Sequence, residues 1–396
     1  MKIQDDPPVH LTYCLNVHPG ETWQANFAAI RDHALRVRDG VADGRAFGLG
    51  LRLSDRAAAD LADQAALAEL ADFMRRNRLY AFTVNGFPFG TFHGQQVKAD
   101  VYRPDWRDPR RRDYTIRLAN ILAALLPEGA AGSISTVPGA YKDWIAGDDD
   151  VRAMVRMLAD VGAHLARLRA ATGLDLCLGL EPEPDCFLET TDEAIRFLGD
   201  WSGFAAEHLA DAHGLDDEVW RRHVGICFDT AHAAVQFEDL ADSLGRLARA
   251  GVRVCKVQLS AALEVRPTDG GLERLEAFRD PVYLHQVKAR TAGGAILAYP
   301  DLPEALSAAR AGVRDWDACR VHFHVPLFFD ADGPLQSTAR LFTPEFLEFL
   351  RGGLVPHLEI ETYTFGVLPE FLQVADLDEG LAREVRWVLG KLLPTE

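Results

Sequence analysis

His223-Val224-Gly225-Ile226-Cys227-Phe228-Asp229-Thr230-Ala231-His232-Ala233-Ala234 is the stretch on which the reading of this chain turns. A short apolar run of β-compatible residues ends in a carboxylate, and an imidazole follows three positions later, where a loop or first helical turn begins. On that reading a strand delivers Asp229 and His232 to one end of a sheet. The plain alternative is a strand closed by an Asp turn, with an incidental histidine. The other strands weigh against it, because several end in the same kind of residue.

Similar runs recur on both sides. Strands are predicted at 11–17, 47–53, 79–85, 132–137, 174–180, 252–259, 319–325 and 356–362, most of them followed by an amphipathic helical pattern. The run Leu174 to Leu180 ends in Glu181-Pro182-Glu183-Pro184, where two prolines stop the ladder and hold the acidic side chains on a stiff, extended tip. Ser54-Asp55 and Thr190-Thr191-Asp192-Glu193 read as helix N-termini, the latter as a capping box. After Asn85 comes a long loop with Gly86, Gly90, His93, Gly94 and Lys98, and loops of this length are often functional. Between 103 and 113 five arginines alternate with aspartates; this reads as a solvated loop that supplies its own counter-charges, with a phosphate site as the competing reading. From 264 to 306 the rhythm breaks, and 283–287 with 295–299 suit a hairpin.

Nine strands are one too many for an eight-stranded barrel, and the extra one falls in the 253–325 region or belongs to the insertion. Strands alternating with helices over the whole length, with carboxylates and imidazoles at strand C-termini, predict an α/β fold: a (β/α)8 TIM barrel with an insertion before the last strands. We expect a single domain over 1–396, with the insertion at 264–306. A doubly wound sheet competes, but no glycine-rich fingerprint follows the first strand.

Composition narrows the function classes. Nearly half of the 396 residues are hydrophobic, enough for a large core, and the net charge of −17 opposes binding to polyanions, so nucleic acid is not an expected partner. Six cysteines without a CxxC pair, most of them in apolar runs, suit a reducing compartment. With neither a signal-peptide pattern nor an apolar run of about 20 residues, the expectation is a cytoplasmic protein without a membrane span.

The strand ends imply the chemistry. Glu181, Asp229, His324 and Glu361 form a mixed oxygen and nitrogen set suited to a divalent ion such as Mn, Mg, Co or Zn. His322 shares a face with His324, and Glu359 with Glu361; position nearer the strand end favours His324 and Glu361, while Glu181 and Glu183 remain alternatives. Two carboxylates beside a Lewis acid suit proton removal next to a carbonyl, with Glu181 and Glu361 as the catalytic pair. His232, Arg52, Asn85 and Gln258 are candidates to hold the hydroxyls of a sugar-like substrate.

The barrel pattern with Phe228-Asp229-Thr230-Ala231-His232 resembles the xylose-isomerase-like superfamily, which includes sugar-phosphate isomerases and epimerases and endonuclease IV-type enzymes. The resemblance implies a metal site at Glu181, Asp229, His324 and Glu361. Gln258 departs from it, standing where relatives usually place a metal-binding histidine. More narrowly, the chain resembles the EboE family of metabolite traffic proteins. The motifs are Leu11-Thr12-Tyr13-Cys14, Phe47 to Ser54, Asn85-Gly86-Phe87-Pro88-Phe89-Gly90, Phe92-His93-Gly94, Gly132 to Gly139, Glu181-Pro182-Glu183-Pro184 and His322 to Leu327. That family is encoded with other enzyme-like proteins in clusters for secondary metabolites, so pathway proteins are implied as partners. The expectation is therefore a divalent-metal-dependent isomerase or epimerase acting on a sugar, cyclitol or related polyol. The alternatives are a non-catalytic metabolite-binding barrel and a metal-dependent phosphoester hydrolase of the endonuclease IV type.

Overall fold

In the computed structural model, residues 1–91, 98–280, 282–313 and 315–393 are described. The predicted His93 and Gly94 of the long loop lie outside them.

Eight parallel strands form the barrel. They are β2 (Pro8–Tyr13), β3 (Phe47–Arg52), β4 (Leu79–Asn85), β5 (Ala131–Thr136), β6 (Asp175–Leu180), β7 (Val224–Asp229), β8 (Val254–Leu259) and β15 (His357–Ile360). Each pairs with its neighbour in that order, β15 pairs with β2, and a parallel bridge between Cys14 and Gly50 ties β2 to β3 and closes the ring. A short β1 (Lys2–Asp5) folds back antiparallel on β2, an element absent from the sequence reading. The first strand also ends earlier than predicted, since Leu15–Val17 turn into a 3-10 helix.

Between β8 and β15 the chain builds a second, antiparallel sheet. It comprises β9 (Ala262–Val265), β10 (Val287–Thr291), β11 (Ile296–Tyr299), β12 (Trp316–His324), β13 (Ala331–Asp332) and β14 (Leu335–Ser337), in the order β11-β10-β12-β9-β14-β13. The one predicted strand in excess of eight, the run through His322 and His324, therefore belongs to this sheet and not to the barrel. The predicted hairpin forms with its first arm four residues later, at Val287–Thr291 paired to Ile296–Tyr299.

Side chains two apart on a strand share a face, so what projects into the barrel can be followed downward from the site. On β15 this series is His357, Glu359 and Glu361, and on β8 it is Lys256 and Gln258. His357 Nδ1 lies 2.9 Å from Ser133 Oγ, and β15 and β5 are not neighbours, so the contact crosses the interior. Lys256 and Glu359 are fully buried there as an ion pair. A Cβ at Gly50 would collide with Glu359 Oε1, so that position of β3 takes only glycine.

The helix Leu377–Leu392 locks the upper rim. Its buried Glu384 accepts hydrogen bonds at Oε1 from Leu327 N (2.9 Å) and Thr362 Oγ1 (2.8 Å), tying the segments that follow β12 and β15. Burial pushes this carboxyl up to about 7 from its ordinary 4.5, so the folded state holds the proton more tightly than the unfolded chain. The stability linked to it is complete below about 4.5 and is lost as pH rises through about 7. Glu384→Gln should therefore exceed wild type in stability by about 1–3 kcal/mol at pH 8, with the gain shrinking toward pH 5. Urea unfolding at the two pH values checks this, and an equal change at both would contradict it.

Candidate metal centre

The C-terminal end of the barrel carries a cleft of about 530 Å³, its open mouth included. Glu181, Glu183, Glu361, His232 and His322 line its inner end. Asp229 sits beneath them at the end of β7, where its Oδ1 accepts from Ala231 N (2.8 Å), His232 N (2.9 Å) and Ser260 Oγ (2.7 Å) and so caps the helix Thr230–Val235. These three donors fix the carboxylate and leave Oδ2 buried without a donor among the described residues.

His324 reaches the same place from the antiparallel sheet. Its Nδ1 lies 2.7 Å from the Glu361 carbonyl and 3.2 Å from Glu361 Oε2; the carbonyl can only accept, so Nδ1 carries the proton. Nε2 is then a buried lone pair without a donor, and Glu361 Oε2 likewise receives no hydrogen bond from the described residues. Single ligand atoms of Asp229, His324 and Glu361 lie within 4.8 Å of one another, as do those of Glu181, Asp229 and His232. Buried carboxylates and imidazoles grouped this closely, with acceptor atoms of Asp229, His324 and Glu361 left without donors among the described residues, fit a divalent cation, and the set is the kind that holds one.

The pKa directions express the same conflict. Burial pushes Glu181 and Glu361 well above the carboxylate range; Glu361 and Asp229 add to it for Glu181, and Asp229 adds to it for Glu361. His232, pushed down to about 4 by burial, donates from Nδ1 to the Pro182 carbonyl at 3.0 Å, so its Nε2 is a lone pair as well. His322 is similar: Nδ1 faces Gln286 Oε1 at 2.8 Å, and Nε2 has no donor among the described residues. His232, His322 and His324 form a third group within 4.8 Å. In the sequence, His232 is a candidate to hold a substrate hydroxyl. The first helical turn, however, brings its ring back over Asp229, close enough to hold an ion.

Gln258, fully buried, is assigned the amide orientation in which its nitrogen donates to Glu181 Oε2 (2.9 Å) and Oε1 (3.1 Å). It holds a carboxylate in place. Glu183 takes a different partner, accepting from Tyr102 O–H at 2.7 Å, and Tyr102 accepts from Gln286 Nε2 at 3.0 Å. Asn85 lines the cleft with its Oδ1 engaged by Phe87 N at 3.0 Å. Arg52 stands apart from the cleft lining, donating to the Gly20 and Gly90 carbonyls (3.0 and 2.6 Å) and to Glu21 (3.1 Å), where it braces two loops. In the basic stretch Arg107 pairs with Asp105 and Asp150, Arg110 with Asp108, and Arg112 with Asp113, as the counter-charge reading expects. The loop ends at Asp108, however, where the helix Pro109–Leu125 begins, and Arg111 is fully buried, donating to the Pro104, Gly86 and Phe87 carbonyls.

Several cleft residues had no place in the sequence reading. Asn16, just past β2, donates to Glu361 Oε1 at 2.7 Å, and its position at a strand end was the available signal. Tyr102 and Tyr363 come from the 3-10 helices Lys98–Tyr102 and Tyr363–Val367, and Tyr283, expected in a hairpin arm, lies in the bend before β10; no local pattern pointed any of them to the cleft.

No family model and no curated protein matches this chain, so the EboE resemblance finds no support there. Among solved structures it is similar to a D-tagatose 3-epimerase-like protein (11% identity, 97% of each chain covered, TM-score 0.49). It is also similar to the IolI protein with a bound zinc atom (12%, 97% of this chain and 98% of that one, TM-score 0.48). A third is the probable 3-DHS dehydratase AsbF of Bacillus anthracis (11%, 96% and 98%, TM-score 0.45). The α/β-barrel class itself rests on the strand order and closure described above. Among the described residues no helix is long and apolar enough to cross a membrane.

Proposed function

We propose that this chain is a divalent-metal-dependent isomerase or epimerase of a sugar, cyclitol or related polyol. The observation that carries the proposal is the buried group Asp229, Glu361 and His324, whose ligand atoms lie within 4.8 Å of one another and each of which keeps a buried atom (Oδ2, Oε2, Nε2) without a donor among the described residues. Glu181, Asp229, His324 and Glu361 would hold the ion, as Mn, Mg, Co or Zn, and His232 is geometrically able to replace one of them. When bound, the ion supplies a Lewis acid for a substrate carbonyl.

The side chains do the rest. Glu181 and Glu361 take and return the proton next to the carbonyl, Gln258 and Asn16 fix the orientation of those two carboxylates, and Asn85 and His232 face the substrate hydroxyls. The motif resemblance to the EboE proteins supports a place in a secondary-metabolite pathway of the cytoplasm, with the other proteins of that pathway as partners. We read 1–396 as one domain, with 264–306 as its insertion.

A binding barrel without turnover is the second reading, favoured by Gln258, which occupies a barrel position open to a ligating histidine. Metal analysis of the purified protein, then activity screening of the Mn2+- or Zn2+-loaded form against ketoses and cyclitols, separates the two. About one ion per chain with turnover is expected. Protein that neither contains nor takes up a divalent ion would end the metal reading, and an ion without turnover on any substrate class would favour the binding barrel.

A further inference from the structure

Lys98 is the one lysine or arginine among the described residues that line the cleft. Its ammonium has three N–H donors, and the structure assigns an acceptor to each: Asp301 Oδ2 at 2.6 Å, the Tyr283 carbonyl at 2.8 Å and the Asp280 carbonyl at 3.3 Å. Residues 92–97, the preceding part of that loop, contain no lysine or arginine. Among the described residues the cleft thus offers an anionic ligand no uncommitted lysine or arginine, whereas phosphate recognition ordinarily relies on Lys, Arg or clustered backbone N–H groups.

The inner end points the same way. A bound dication there would face the carboxylates of Glu181, Asp229 and Glu361, so its charge is already outnumbered before substrate arrives. The walls above are largely carbon surface from Phe87, Pro88, Val101 and Leu284, with the rings of Tyr283 and Tyr363 set edge to face at 5.2 Å. A pocket of apolar and aromatic walls with a few convergent polar groups suits a neutral, hydroxyl-bearing ring.

We infer that the ligand of this cleft is an uncharged sugar or cyclitol, not its phosphate ester, and that the pairing of Lys98 with Asp301 is what withholds a phosphate-binding cation. This deepens the polyol reading and rests on it. It also separates the site from phosphoester hydrolysis, whose substrate carries an anion to the metal.

The test is calorimetric titration of the Mn2+-loaded full chain with matched pairs: D-fructose and its 6-phosphate, D-xylulose and its 5-phosphate, myo-inositol and its 1-phosphate. The neutral member of at least one pair should bind at least tenfold more tightly than its ester. An ester that binds as tightly as its parent, or more tightly, overturns the inference while leaving the polyol reading intact. No binding by any of the six compounds sinks the polyol reading and the inference with it. Asp301→Asn removes the counter-charge of Lys98 and should improve ester binding at least threefold; no improvement would show that this pair is not the source of the discrimination.

Discussion

Glu361→Gln should keep the barrel folded, lower turnover by about 10²–10⁴-fold and remove the stabilisation that a divalent ion gives the wild type. The replacement is close to isosteric, and its carbonyl oxygen can go on accepting from Asn16 Nδ2, now 2.7 Å from Glu361 Oε1. What disappears is the negative charge, and with it one ligand and one proton acceptor. The ion-free protein should respond in the opposite direction. Burial and the neighbouring Asp229 raise the Glu361 carboxyl, so the stability linked to its proton is present at low pH and lost as pH rises through the shifted value. The glutamine has no such penalty, and the ion-free variant should melt above ion-free wild type near neutral pH. Mn2+ at 100 times its Kd stabilises wild type by about 2.7 kcal/mol through binding to the folded state alone. Scanning calorimetry with and without Mn2+ reads both effects. Equal Mn2+ stabilisation of wild type and variant would remove Glu361 from the ion's surroundings.

The strand ends were legible in the sequence because a strand buried on both faces reads as a near-continuous apolar run, against which a terminal carboxylate stands out. Asp229, Glu181 and Glu361 were placed at the ends of β7, β6 and β15 on that signal. The run through His322 and His324 was legible as a strand but not as a member of a particular sheet, since the pattern Cys319-Arg320-Val321-His322-Phe323-His324 suits either setting. Its pairing with β9 and β10 depends on segments far away in sequence. Tyr102, Tyr283 and Tyr363 had no periodicity to assign them to the cleft. Gln258 read as a missing ligand because one residue type was expected there, and its hydrogen bonds to Glu181 depend on a neighbour 77 positions upstream that only the closed barrel brings within reach.

Beneath the site, Lys256→Met should destabilise the protein by about 3–5 kcal/mol, the largest effect we expect on folding. Lys256 and Glu359 are both fully buried, and the ammonium is bonded to Glu359 Oε2. Glu359 Oε1 has no donor among the described residues and abuts Gly50, so removing the lysine leaves an uncompensated carboxylate with no room to turn. That carboxylate stands one inward-facing position below Glu361, whose carboxyl it already raises, while Lys256 lowers both Glu361 and Glu181. Loss of the lysine therefore also pushes the two upper carboxyls toward their protonated forms and should weaken Mn2+ binding. Removing the partner as well, in Lys256→Met with Glu359→Met, replaces the pair by apolar volume and should recover most of the lost stability, as buried ion pairs replaced on both sides generally do. A double-mutant cycle by urea unfolding separates the terms. If the cost comes from the stranded charge, the double variant is more stable than Lys256→Met alone; if it comes from packing, the two losses add.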